Sequence, residues 1–178
     1  MRARLSASKK FYKGQMLLYF LRHADSANSG YANDFDRELT EEGRAQANDV
    51  AQTIRALKLV FTHVLSSPLI RARQTAKIAI SNFSTLEIQD CDYLSPLSEP
   101  RNLFGELAQY PQDSRILLVT HEPFASSCIA SLISGANESK VAMKKASMAC
   151  LETHSSVQRG TGILLWLLTN EQMRLLFH

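Results

Sequence analysis

The sequence predicts an α/β sandwich of three layers, a mostly parallel central sheet with helices on both faces. Apolar runs of strand length alternate along the chain with segments of helical periodicity, the pattern of strands joined by crossover helices. The first and best of those runs is apolar throughout rather than alternating, as expected for a strand covered on both faces. The composition agrees: 178 residues, 45% apolar, 21% charged, with only 7 Gly and 5 Pro. Such a chain can bury a sizeable core, which excludes disordered, collagenous and coiled-coil classes.

The elements follow in order. Residues 17–21, Leu-Leu-Tyr-Phe-Leu, read as a fully buried strand. Thr40 can cap a helix whose positive end is favoured by Glu41 and Glu42, and Ala47, Val50, Ala51, Ile54 and Leu57 form one apolar face. A short strand at 63–66 precedes a helix opened by Pro68 and running to about Ile80. Residues 86–89 suggest a strand and 101–110 a short helix. Residues 115–119 form another buried strand, and Pro123 opens a helix to about Ile133. Closing strands are expected at 148–152 and 162–168, joined by a polar loop. No repeat or linker interrupts this series, so residues 16–178 read as one domain.

Residues 1–15 stand apart. They hold Arg2, Arg4, Lys9, Lys10 and Lys13 and no acid. Removing those five from the 20 Lys and Arg leaves 15 bases against 17 acids, so the pI near 8.8 is a property of the tail. The body has no excess of base that would suggest nucleic acid as a partner. The tail reads as a disordered or appended extension, with a targeting segment as the alternative. The longest apolar runs, 16–21 and 162–168, are far shorter than the roughly 20 residues that span a bilayer, so no membrane partner and a cytoplasmic location are expected. Three widely spaced cysteines, Cys91, Cys128 and Cys150, show no C-x-x-C pair and suggest reduced, buried thiols. The five histidines lack metal-ligand spacing, so no metal or other cofactor is expected.

The chemistry lies at three strand ends. The first runs into Arg22-His23-Ala24, the second into Ser66-Ser67-Pro68-Leu69-Ile70-Arg71-Ala72-Arg73-Gln74-Thr75, the third into Thr120-His121-Glu122-Pro123. Ligands of open α/β sheets bind beyond the carboxyl ends of strands, so two histidines and two arginines can share one crevice. Arginine forks beside imidazoles suit a phosphoryl dianion. Each piece alone is ordinary; a single Arg-His pair is usually a matter of surface or packing.

Together, Leu-Arg-His-Ala, Ser-Ser-Pro-x-x-Arg-Ala-x-Gln-Thr and Val-Thr-His-Glu-Pro resemble the histidine phosphatase superfamily, of phosphoglycerate mutase-like fold. The Asp36-Arg37-Glu38-Leu39-Thr40-Glu41-Glu42-Gly43 stretch and the small size are most similar to its SixA-type phosphohistidine phosphatases. The resemblance covers about residues 16–168. It implies His23 as the phosphorylated nucleophile, His121 as the second histidine at the transferred group, and Arg22 and Arg71 as phosphate-binding arginines. Arg37 matches a further arginine that reaches the pocket in SixA-like members. Arg73, two positions past the matching arginine, reads as a solvated helix residue.

Phosphoryl transfer has a loose transition state, so alignment and charge stabilisation carry the catalysis. A neutral His23 with its other nitrogen held by a carbonyl can attack in line, while Arg22, Arg71 and a protonated His121 hold the phosphoryl oxygens. The general acid is where the sequence departs from the family. Mutase-like relatives take a Glu from the segment before the second histidine, and the acid-phosphatase branch an Asp directly after it. Here Glu99 and Glu106 qualify only by location, and Glu122 only by following His121. The resemblance therefore implies a metal-independent phosphatase acting on protein phosphohistidine in a bacterial phosphorelay. The alternatives are a small-molecule phosphomonoester phosphatase and a catalytically silent domain that binds phosphorylated partners.

Overall fold

A computed structural model describes residues 14–136, 140–154 and 156–176. Its strands are β1 (Gln15–Arg22), β2 (His63–Ser66), β3 (Ile88–Asp90), β4 (Arg115–Thr120), β5 (Met148–His154) and β6 (Gly162–Leu168). They form one sheet in the order β3-β2-β4-β1-β5-β6. The β3–β2, β2–β4 and β4–β1 ladders are parallel, and β5 and β6 add antiparallel at one side. The helices are α1 (Glu41–Ala56), α2 (Ile70–Ala79), α3 (Pro100–Leu107), α4 (Phe124–Ser134) and α5 (Asn170–Leu175), with a 3₁₀ turn at Asp92–Leu94. This is the mostly parallel three-layer sandwich read from the sequence.

The two faces of β1 explain the layers. Met16, Leu18 and Phe20 pack with Leu103, Leu107, Ile129 and Leu132 of α3 and α4. Leu17, Tyr19 and Leu21 pack with Val50, Ile54, Ala72, Ala76 and Met173 of α1, α2 and α5. Side chains two residues apart share a face, so a strand apolar at every position can serve two cores.

Boundaries shift where tertiary contacts decide them. β1 begins at Gln15, inside the expected tail, while residues 1–13 of that tail lie outside the described residues. β3 starts two residues later than expected and α3 ends three earlier. α2 opens at Ile70 rather than Pro68, because Leu69 is extended and the Ile70 amide donates to the Phe35 carbonyl at 3.1 Å. α5 was not anticipated. At six residues it is too short to show a period, although Thr169 and Gln172 form a capping box at its start.

The start of α1 positions the first strand end. Thr40 accepts from the Gly43 amide and donates to the Asp25 carboxylate at 2.6 Å, so the helix cap is tied to the segment following His23. The approach is so close that a Cβ on Gly43 would lie 1.9 Å from the Asp25 carbonyl oxygen. Gly43→Ala is therefore expected to lower stability by about 1–3 kcal/mol, an overpacking cost, read as a fall in the thermal midpoint by calorimetry. An unchanged midpoint would show that the contact relaxes freely.

Candidate active site

The carboxyl ends of β1, β2 and β4 adjoin, and backbone bonds stitch them together. The His23 amide donates to the Thr120 carbonyl and the Ser67 amide to the Val119 carbonyl, both at 2.9 Å. Thr75 of α2 donates its hydroxyl to the Arg71 carbonyl at 2.7 Å and accepts from the Ala24 amide at 3.1 Å. The Arg22-His23-Ala24 corner, α2 and the His121 turn are thus held against one another before any side chain is considered.

His23 is buried, and its Nδ1 lies 2.7 Å from the Ala24 carbonyl. A carbonyl only accepts, so Nδ1 carries the proton and Nε2 keeps its lone pair. Its ring centroid is 4.9 Å from that of His121. His121 Nε2 is 2.8 Å from the Ser67 hydroxyl, which also accepts a long bond from the Leu69 amide. The Ser67 hydroxyl can donate to His121 Nε2 or accept from it; when it donates, the proton of His121 lies on the unpartnered Nδ1. Burial first, then the neighbouring cations, pushes His23 down to about 4; burial, His23 and Arg71 push His121 down to about 3. Burial together with the protein's own charges therefore leaves both rings neutral at pH 7. The protonated His121 expected from sequence would require the charge of a bound dianion to raise its pKa.

Both arginines are anchored through their Nη atoms, Arg22 by one main-chain carbonyl and Arg71 by a carbonyl and a carboxylate. Arg22 donates through Nη1 to the Met143 carbonyl at 2.8 Å, and burial lowers its pKa. Arg71, only 4% exposed, donates through Nη1 to the Asp34 carbonyl at 2.6 Å and through Nη2 to the Asp34 carboxylate at 2.8 Å. In each, Nε is buried without a hydrogen-bond partner. Seven buried side-chain N or O atoms among the described residues lack partners, and Arg22 Nε, Arg71 Nε, His121 Nδ1 and Glu122 Oε1 are four of them. Buried polar groups without partners are costly, so the three unpartnered N–H positions of Arg22, Arg71 and His121, with the Glu122 oxygen beside them, call for an explanation other than packing.

Arg37 is placed differently from Arg22 and Arg71. It donates to its own loop, to Ala27 carbonyl, Ser26 Oγ, Asn28 Oδ1 and the Asp34 carboxylate, and meets Arg71 only through Asp34. Asp34 and Arg37 also line a cavity of about 310 Å³ with Asn28, Ser29, Tyr31, Ala32 and Asn33. Arg73 pairs with Asp90 on the half-exposed surface of α2. Glu99 is exposed and lies 3.8 Å from Arg101. Glu106 lines a separate cavity with Asp90, Cys91 and Tyr110. Glu122 stays near the site: Ser126 donates to its Oε2 at 2.6 Å, and its charge acts on Arg22. Sequence reasoning missed Ser67, Thr75 and Asp34 as supports. The first two lay within the second motif, and Asp34 three residues before Arg37 carried no separable signal.

The family model for the histidine phosphatase superfamily (branch 1) matches residues 18–97. An uncharacterized protein of Picosynechococcus sp. is 33% identical over 159 residues, spanning 87% of this chain and 96% of its own. This chain belongs to the histidine phosphatase superfamily. The mitochondrial serine/threonine-protein phosphatase Pgam5 of Drosophila virilis is 28% identical over 88 residues, 48% of this chain and 30% of its own length. Among solved structures, the protein histidine phosphatase SixA complexed with tungstate matches with a TM-score of 0.78 at 23% identity, covering 87% of this chain and 97% of that one. That likeness shows the fold of this histidine phosphatase domain, and phosphatase chemistry is the activity its family supports. Among the described residues no group of three His, Cys, Asp or Glu is placed to hold a metal ion, and no helix is long and apolar enough to cross a membrane.

Proposed function

We propose that this chain hydrolyses phosphoryl groups through a phospho-His23 intermediate, with protein phosphohistidine in a bacterial phosphorelay as substrate. One observation carries the reading: a neutral His23 with Nδ1 committed to a carbonyl, beside buried arginine donors that have no protein partner. The Nε2 lone pair attacks phosphorus as the bond to the leaving group breaks. Arg22, Arg71 and His121 Nδ1–H supply donors for the phosphoryl oxygens, whose charge they stabilise in the loose transition state. Water then attacks the phosphohistidine, returning His23 and releasing phosphate. The likeness to a SixA fold that holds tungstate, a tetrahedral oxyanion, supports this use of the pocket.

The substrate class follows from the leaving group. Glu99 and Glu106 are directed elsewhere, which leaves Glu122, held by Ser126 and acting on Arg22, as the carboxylic acid near the site. A phosphoimidazole expels an easily protonated imidazole, whereas an alkyl phosphate must expel an alkoxide. The second reading, a phosphomonoester phosphatase, is favoured by one observation: Glu122 Oε1 is buried and unpartnered one residue after His121. A silent binding domain would need the arginines but would have no use for a buried His23 held with its Nε2 lone pair free.

Leaving-group kinetics separate the two enzymes. Rates should run phosphohistidine, then aryl, then alkyl phosphates, and rise steeply across aryl phosphates as the phenol becomes more acidic. Glu122→Gln and Glu99→Gln should change phosphohistidine turnover by less than about tenfold, below the usual effect of removing a general acid. A flat leaving-group dependence, with alkyl phosphate turnover lost in Glu122→Gln, would make Glu122 the acid and the protein a general phosphomonoesterase.

A further inference from the structure

The loop between Ser26 and Leu39 is pinned at its base and exposed at its tip. A bridge joins Ser26 to Leu39, the Ala27 amide donates to the Glu38 carbonyl, and the Leu39 amide donates to Gln74 of α2 at 2.8 Å. From the tip, Asp34 returns to the buried Arg71. Its carboxylate is shared: one oxygen is 2.8 Å from Arg71 Nη2, the other 2.6 Å from Arg37 Nη1. Its main-chain carbonyl is 2.6 Å from Arg71 Nη1. Together these fill the end of the guanidinium formed by the two Nη atoms.

A guanidinium has five N–H groups and a second fork, along the edge from Nε to Nη2. In Arg71 that edge keeps the Nε–H, which is buried and unpartnered, and the Nη2–H that does not point to Asp34. Arg22 shows the same division, with Nη1 on the Met143 carbonyl and Nε unpartnered. A planar fork with one edge clamped can present the other with little loss of rotamer freedom on binding, and two bonds from one side chain require that orientation.

We infer that Asp34 is a positioning residue for phosphate binding: held by Arg37, it clamps the Nη end of Arg71 so that the Nε–Nη2 edge meets the phosphoryl oxygens. This rests on the proposed use of Arg71 and adds a role for Asp34. It also gives Arg37 the task of steadying Asp34 rather than touching phosphate. The pairing with both arginines keeps the Asp34 carboxyl below the usual carboxylate range, so the clamp stays charged at neutral pH. The opposite possibility is that Asp34 competes with phosphate for Arg71, and the two predict changes of opposite sign.

The test is a double-mutant cycle on inorganic phosphate, measured as its inhibition constant against an aryl phosphate and by calorimetric titration. Asp34→Asn should weaken phosphate binding about tenfold, the scale of one charge-assisted bond, while Asp34→Glu should recover part of the loss. In an Arg71→Ala background Asp34→Asn should cost nothing more, because there is no fork left to orient. Asp36→Asn, which removes a loop carboxylate that accepts from Asn33 and pairs with no arginine, should bind phosphate like wild type. Tighter or unchanged binding in Asp34→Asn, or losses that simply add with Arg71→Ala, would overturn the inference. If Arg71→Ala alone left phosphate binding intact, the proposed function would fail first, and this role with it.

Discussion

His23→Ala should reduce turnover of phosphohistidine and aryl phosphates by roughly 10⁴-fold or more, the scale seen when a nucleophile is removed. Among the described histidines His23 combines the required properties. Its Nδ1 proton is held by the Ala24 carbonyl, burial keeps the ring unprotonated down to about pH 4, and cations surround it. His121 is equally neutral but has its Nε2 engaged by Ser67, so with Ser67 donating it offers a proton donor rather than a free nucleophilic nitrogen. Rapid quenching of wild type should trap phosphate that is labile in acid and stable in base, and His23→Ala should trap none. Hydrolysis at the wild-type rate in folded His23→Ala would remove the covalent mechanism.

Arg71→Ala should lower kcat/KM and weaken phosphate or vanadate binding by about 10²–10³-fold, the loss of two charge-assisted bonds. Its fold should survive. Asp34 is largely exposed, with 57% of its side chain open to solvent, so its freed carboxylate can be hydrated rather than stranded. Arg71→Lys should recover little, because a point charge cannot hold Asp34 and present a second fork at once. Initial rates and calorimetric titration report both quantities. A change within threefold in Arg71→Ala would mean that the phosphoryl group binds elsewhere.

Much of this is legible in the sequence, for identifiable reasons. β1 was readable because a strand buried on two faces must be apolar at every position. The α1 start was readable because Thr40, Glu41 and Glu42 satisfy a helix end by local bonds and local charge. His23, Arg71 and His121 stood out because each follows a strand end, where an open α/β sheet gathers ligands. The elements misplaced were those set by distant partners. Phe35 fixes where α2 begins, and α5 is held by Met173 burial and by Asn170 and Arg174 on Asp49 of α1, too few residues for a period to appear.

The sequence by itself determined the sheet, its two cores and the four residues, Arg22, His23, Arg71 and His121, that meet at one end. It did so because hydrophobic periodicity and strand-end position are properties of the chain's order. Only the tertiary structure decided which nitrogen of each histidine is free, which edge of each arginine is left open, and where each glutamate goes. Those depend on hydrogen bonds between residues as far apart as Ser67 and His121, or Asp34 and Arg71, and on the low dielectric of a pocket that closes only when the strands align. Spacing along a chain carries no record of either.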